Sequence, residues 1–198
     1  MTTSPVFASG LGLVLFDTTY FVWIVSELFG AVLVPRLRRR GATRVKRDRG
    51  SGALIIFTVL VSIIIALSLG YAGVGPLPDY VFYPGIVLML TGVLVRQWAI
   101  AVLGRFFSLT VRVAEDHLVV MKGPYRLVRH PSYTGVLITF IGLALAVQSW
   151  GALLVLLTVF GVSYGYRMRV EERVLQSELG LDYAEYMKRT KRLIPLLI

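Results

Sequence analysis

Long apolar stretches alternate along this chain with short, strongly basic ones. Residues 11–34, 53–72 and 80–103 are each long enough to cross a hydrocarbon core of about 30 Å as a helix rising about 1.5 Å per residue. A fourth run, residues 133–166, is free of charge and would measure roughly 51 Å as one helix, too long for a single crossing. At its middle lies Gln148-Ser149-Trp150-Gly151, which combines two polar side chains, an interfacial aromatic and a turn residue. The run therefore reads as a hairpin, 133–147 out and 151–166 back. Its short legs place the turn near the far headgroups or slightly inside them. The pattern predicts an all-α integral membrane protein with five transmembrane helices, the last two forming the hairpin.

Composition strengthens this reading. The 198 residues are 56% hydrophobic and 16% charged, against about 45–50% and about 25% in ordinary globular domains. Charge decides topology. The formal charge is +10, and eight of the 21 Lys and Arg fall within residues 36–49. Most of the others lie in 105–129 and 167–192. Basic loops mark the cytosolic side, so 36–49, 104–132 and the tail from Arg167 are expected inside, with the N-terminus and 73–79 outside. The first residues lack a basic n-region, so the run from Leu11 is expected to be a retained span rather than a signal peptide. Asp17 and Glu27 sit in the first span, where a lipid-facing carboxylate is costly. They are expected to face the bundle or, for Glu27, the cytosolic surface. No segment remains to build a soluble basic face, which argues against nucleic acid as a partner. Cysteine is absent, which excludes disulfides, thiolate metal sites and a cysteine nucleophile. Two histidines are too few for a His-based metal centre. The loop 36–49 could also bind anionic membrane lipid.

Candidate chemistry concentrates between the third and fourth spans: Arg112, His117, then Lys122-Gly-Pro-Tyr-Arg-Leu-Val-Arg-His-Pro-Ser-Tyr-Thr-Gly135. Gly123-Pro124 makes a turn and Pro131 suits the first turn of a helix. Arg129 and His130 then flank a helix N-terminus, whose unpaired N–H groups suit an anionic or polar ligand. After the hairpin, Arg167 and Glu171 share a helix face at i, i+4. Alone they could be a solvated ion pair. The hairpin, however, returns them to the side of the His130 loop.

The run Gly-Pro-Tyr-x-x-x-Arg-His-Pro-Ser-Tyr-x-Gly at 123–135, with Arg-x-x-x-Glu-Glu at 167–172, Leu179-Gly-x-x-Tyr183-x-x-Tyr186 and Arg189-Thr-x-Arg192-Leu-Ile-Pro195, resembles the isoprenylcysteine carboxyl methyltransferase family. More loosely it resembles the related phospholipid N-methyltransferases. The likeness covers about 100 residues, from Arg96 to Pro195. It divides the chain into 1–95, membrane helices with a structural or substrate role, and 96–198, a methyltransferase-like region. The resemblance implies S-adenosyl-L-methionine as methyl donor, bound without a Rossmann domain, and no Gly-x-Gly-x-x-Gly follows a strand here. By similarity, the cofactor would be held by Arg112, His117, Leu118, Val119, Val120, Tyr125, His130, Pro131, Ser132, Tyr133 and Glu171. Arg167 matches the arginine that the family places near the substrate. The implied acceptor is an isoprenylcysteine-like or other lipophilic carboxylate entering from the bilayer. A phospholipid amine, a thiol or a small carboxylate remains open as acceptor. So do an NADPH-dependent membrane reductase and a non-catalytic membrane scaffold.

Overall fold

The computed structural model describes residues 5–30, 43–46, 50–108, 110–114 and 118–195. It is built almost wholly of helices: α1 (Gly10–Leu28), α2 (Ser51–Tyr71), α3 (Phe82–Leu103), α4 (Pro131–Ala146), α5 (Trp150–Val159) and α6 (Gly165–Arg189). A π-helical segment, Phe160–Tyr164, joins α5 to α6, so the return leg of the hairpin runs far past the membrane. Among the described residues, four helical stretches are long and apolar enough to span a bilayer, and the shorter α4 is the fifth member of the bundle. At 16 residues it rises about 24 Å. The fold is that of a multi-pass integral membrane protein. Its exposed side chains agree: Phe21, Phe57, Ile64, Val87, Leu94, Leu154 and Val162 all face outward, as lipid requires.

Backbone approach sets the tightest pairing. Helices α3 and α4 run antiparallel with glycines seven residues apart on each, Gly85 and Gly92 against Gly142 and Gly135. A methyl group on Gly92 would lie 2.2 Å from Thr139 Oγ1 and 2.5 Å from the Gly135 carbonyl. Small residues let the two helices touch where lipid offers no hydrophobic drive to hold them together. Aromatic contacts then cross the core from Phe7 through Phe16, Tyr20, Trp23, Phe140, Phe160 and Tyr164 to Tyr133. Every step is 4.8–6.4 Å between ring centroids. That chain ends on the His130 ring, stacked 5.3 Å from Tyr133.

The hairpin turn lies at the level of the 73–79 connection and residue 6. The Gln148 side chain accepts from the Val6 amide (2.9 Å) and donates to Asp79 Oδ1 (2.8 Å). Ser149 Oγ donates to the Val74 carbonyl (2.7 Å) and accepts from the Ala152 amide, capping α5. The turn is thus docked on protein at the far face, and both legs cross the bundle. Gln148 adopts φ 54°, an uncommon conformation for a residue other than glycine, held by these bonds. Of the two intramembrane acids, Glu27 faces the bundle: Arg96 Nε lies 2.5 Å from Glu27 Oε1. The contact is a close charge pair, since neither atom has an aligned hydrogen bond among the described residues. Asp17 is exposed on α1, contrary to a position inside the bundle. It lies about two turns from the α1 N-terminus.

On the opposite face the structure adds two short strands to the expected helices. β1 (Thr43–Lys46) pairs antiparallel with β2 (Arg112–Ala114). Three and four residues are too few for period-two alternation to register in a sequence. This ladder ties the first basic loop to the loop between α3 and α4. Val111 and Val113 pack on Val170 and Val174 of α6 in a second small core.

Candidate active site

The loop before α4 is fixed by the chain's own C-terminal segment. The amides of Arg129 and His130 donate to the carbonyls of Lys191 (2.7 Å) and Arg192 (3.0 Å). Thr134 Oγ1 donates to the Leu193 carbonyl (2.7 Å), and Tyr186 Oη to that of Tyr125 (2.8 Å). This return path needs Gly180, whose φ of 57° and ψ of −127° break α6 in a conformation open to glycine. Beyond it, Tyr183 and Tyr186 turn inward.

At the centre of the clamp stands Glu172, nearly fully buried. It accepts from Arg129 Nε (2.9 Å), Arg192 Nη2 (2.8 Å) and His130 Nε2 (3.2 Å). Arg129 Nη1 also reaches the carbonyls of Met187 and Thr190. Burial pushes the Glu172 carboxyl up, but the bonds from His130, Arg192 and Arg129 outweigh it and hold the group at about 2. The polar side chains that flank the α4 N-terminus are therefore, in part, engaged by the protein's own carboxylate.

Beside this clamp lies a cleft of about 860 Å³, open mouth included. Its lining has three sources. The end of α3 and the segment after it give Leu103, Phe106, Phe107, Ser108, Thr110 and Val111. The loop and first turn of α4 give Leu118, Val119, Val120, Tyr125, Arg129, His130, Ser132 and Tyr133. Helix α6 gives Arg167, Glu171, Leu175, Leu179, Tyr183 and Tyr186. Tyr133 Oη donates to Glu171 Oε2 (2.7 Å) and accepts from Arg167 Nε (3.3 Å). Arg167 is only 3% exposed, so the pair is no solvated surface bridge. Arg96 Nη1 donates to Ser132 Oγ (2.8 Å) from behind. Burial, and then the charge of Glu171, push the hydroxyls of Tyr125 and Tyr183 up. Burial also lifts Tyr186 to about 12. All three are neutral donors at physiological pH.

Of the residues singled out in the sequence, the fold gathers Leu118, Val119, Val120, Tyr125, His130, Ser132, Tyr133, Arg167 and Glu171 around one cleft. Pro131 is buried at the start of α4 and is not among the lining residues. Arg112 contributes its backbone to β2, paired with Lys46. His117 lies outside the described residues. Sequence reasoning passed over Glu172, Arg129 and Arg192 as site residues, and with them Tyr183 and Tyr186. Their positions in the quoted motifs were the available signal.

Comparison with known proteins now bears on this cleft. Residues 85–177 match the model of the isoprenylcysteine carboxyl methyltransferase family. The matched region is just under half of the chain. It carries the α3–α4 pair, His130, Tyr133, Arg167, Glu171 and Glu172. A probable protein-S-isoprenylcysteine O-methyltransferase of Oryza sativa subsp. indica is 28% identical over 120 residues, 60% of this chain and 63% of the rice protein. The chain thus spans under two thirds of that relative's length. Protein-S-isoprenylcysteine O-methyltransferase B of Arabidopsis thaliana is 26% identical over 159 residues, 74% of this chain and 81% of the relative. A solved structure of a eukaryotic intramembrane Ras methyltransferase, isoprenylcysteine carboxyl methyltransferase, superposes with a TM-score of 0.57 at 22% identity. The superposition covers 77% of this chain and 55% of that one. It establishes a shared fold.

Proposed function

We propose that this protein is an S-adenosyl-L-methionine-dependent membrane methyltransferase that esterifies the carboxylate of an isoprenylcysteine-like, lipophilic acceptor. The observation that carries the reading is the partly buried Arg167–Tyr133–Glu171 relay in a cleft with an otherwise largely apolar lining. The residues present suit the donor. Glu171 offers a carboxylate for its α-ammonium, Leu118, Val119 and Val120 an apolar wall for adenine, and Tyr133 a ring face for a cation. His130 stands as a further contact of the same pocket. Bound there, the donor would supply a sulfonium methyl, whose transfer to a carboxylate oxygen, with the C–S pair returning to sulfur, would leave a neutral thioether and an ester.

No proton moves, because the acceptor carboxylate is already ionised at neutral pH. The protein's work is alignment and exclusion of water. Arg167 holds the acceptor carboxylate through its planar fork, and Tyr133 connects that fork to the cofactor carboxylate Glu171. The basic loops face the cytosol, the N-terminus faces outward, and the acceptor's tail enters from the bilayer.

Titration of the purified protein with S-adenosylhomocysteine, followed by turnover of radiolabelled donor with prenylcysteine analogues and with phospholipids, tests the reading. Binding, with label in a base-labile ester of the prenylcysteine analogue, is expected. Stabilisation by NADPH and not by S-adenosylhomocysteine would replace it with a reductase. Label in phospholipid alone would move the acceptor to an amine. Full transfer by both Arg167→Lys and Glu171→Gln at subsaturating donor would remove the assigned roles.

A further inference from the structure

One contact of the site comes from outside the family-matched region. Ser51 opens α2 and is fully buried. Its Oγ accepts from Arg167 Nη1 at 2.7 Å. On another edge of the same guanidinium, Nε donates to Tyr133 Oη at 3.3 Å. A guanidinium is a rigid plane with its donors in a fixed fork. One contact leaves that plane free to rotate about the side chain, and two contacts on different nitrogens fix it.

We propose that Ser51 is a positioning residue for methyl transfer, setting the plane in which Arg167 presents its fork to the acceptor carboxylate. The inference rests on the function proposed above and deepens it. Tyr133 references the guanidinium to Glu171 and the cofactor pocket, and Ser51 references it to α2 and the membrane bundle. The acceptor meets its tail's surroundings in that bundle and its reactive end at Arg167, so the serine couples the two. A residue of the N-terminal half thereby acts in a reaction whose other groups lie in 96–198. Misplacement of the acceptor oxygen by about 1 Å is enough to cost on the order of a hundredfold in rate.

The test uses the full chain in lipid nanodiscs, with Ser51→Ala, Ser51→Thr, Arg167→Lys and the Ser51→Ala/Arg167→Lys double variant. Measured are kcat and KM for a farnesylcysteine analogue and the Kd for S-adenosylhomocysteine. Ser51→Ala is expected to lower kcat/KM for the acceptor about tenfold with Kd for S-adenosylhomocysteine unchanged. Ser51→Thr, which keeps the acceptor oxygen, recovers most of that loss. In the Arg167→Lys background the alanine substitution costs little more, because a serine acting through the guanidinium has lost its target. Equal losses in cofactor binding and turnover, a full additional loss in the lysine background, or unchanged kinetics would each overturn the proposal. Those outcomes leave wild-type methyl transfer intact. A wild-type protein that binds no S-adenosylhomocysteine and transfers no methyl group refutes the enzymatic reading itself, and this inference with it.

Discussion

Glu172→Gln isolates the electrostatic clamp, because glutamine keeps the shape of the side chain and removes its charge. A carboxyl held at about 2 instead of its ordinary 4.5 corresponds to about 3.4 kcal/mol, at about 1.36 kcal/mol per pH unit. Arg192 is 43% exposed at its side chain, so water screens part of that interaction. About 2 kcal/mol is the share expected in solution. To this the variant adds the cost of leaving Arg129, 9% exposed at its side chain, without a counter-charge. The expected loss at pH 7 is therefore about 2–3 kcal/mol. Equilibrium unfolding in mixed micelles of dodecylmaltoside and SDS, followed by circular dichroism, measures it. Limited proteolysis should show the segment after Arg189 released first, since Arg129 and Arg192 tie it to α4. The pH dependence carries the sign. A depressed carboxyl stabilises fully above its unfolded value and loses that contribution as pH falls through the folded one. The gap between wild type and variant should hold above pH 4.5 and close as pH approaches 2. A gap below about 0.5 kcal/mol at pH 7, or one that does not change between pH 5 and pH 2, refutes the clamp.

Other perturbations probe separate parts of the molecule. Gly92→Ala places a methyl group 2.2 Å from Thr139 Oγ1 and should destabilise the α3–α4 pair by about 2 kcal/mol or more, measured in the same micelle titration. Gly161→Ala meets nothing within 4 Å and should be neutral. Gln148→Ala removes the bonds to Val6 and Asp79 and should cost about 1–3 kcal/mol, with hydrogen exchange accelerating at the Val6 amide. Tyr133→Phe breaks the link between Arg167 and Glu171 while keeping the ring. It should lower kcat/KM about tenfold or more with little change in unfolding midpoint, by turnover of radiolabelled donor.

The membrane nature of the chain was determined by sequence alone. Apolar runs of fixed minimum length and clustered Lys and Arg reflect a local requirement, each helix satisfying its own backbone in lipid. The hairpin follows from the same logic, because 133–166 is too long to cross once. The candidate residues Tyr133, His130, Arg167 and Glu171 stood out as polar chemistry at the ends of apolar helices. What sequence spacing does not contain is the partner across the fold. Glu171 and Glu172 are neighbours of one type, yet only packing shows that Glu172 is clamped by Arg129, His130 and Arg192 while Glu171 meets Tyr133 in the cleft. Glu27 found Arg96, 2.5 Å away on another helix, and Asp17 remained outside. The register of Ser51 against Arg167, separated by 116 positions, is set by how closely glycine-lined helices approach and where the hairpin turn docks. Helix formation is local in sequence, whereas a hydrogen bond between helices exists only once their relative depth and rotation are fixed.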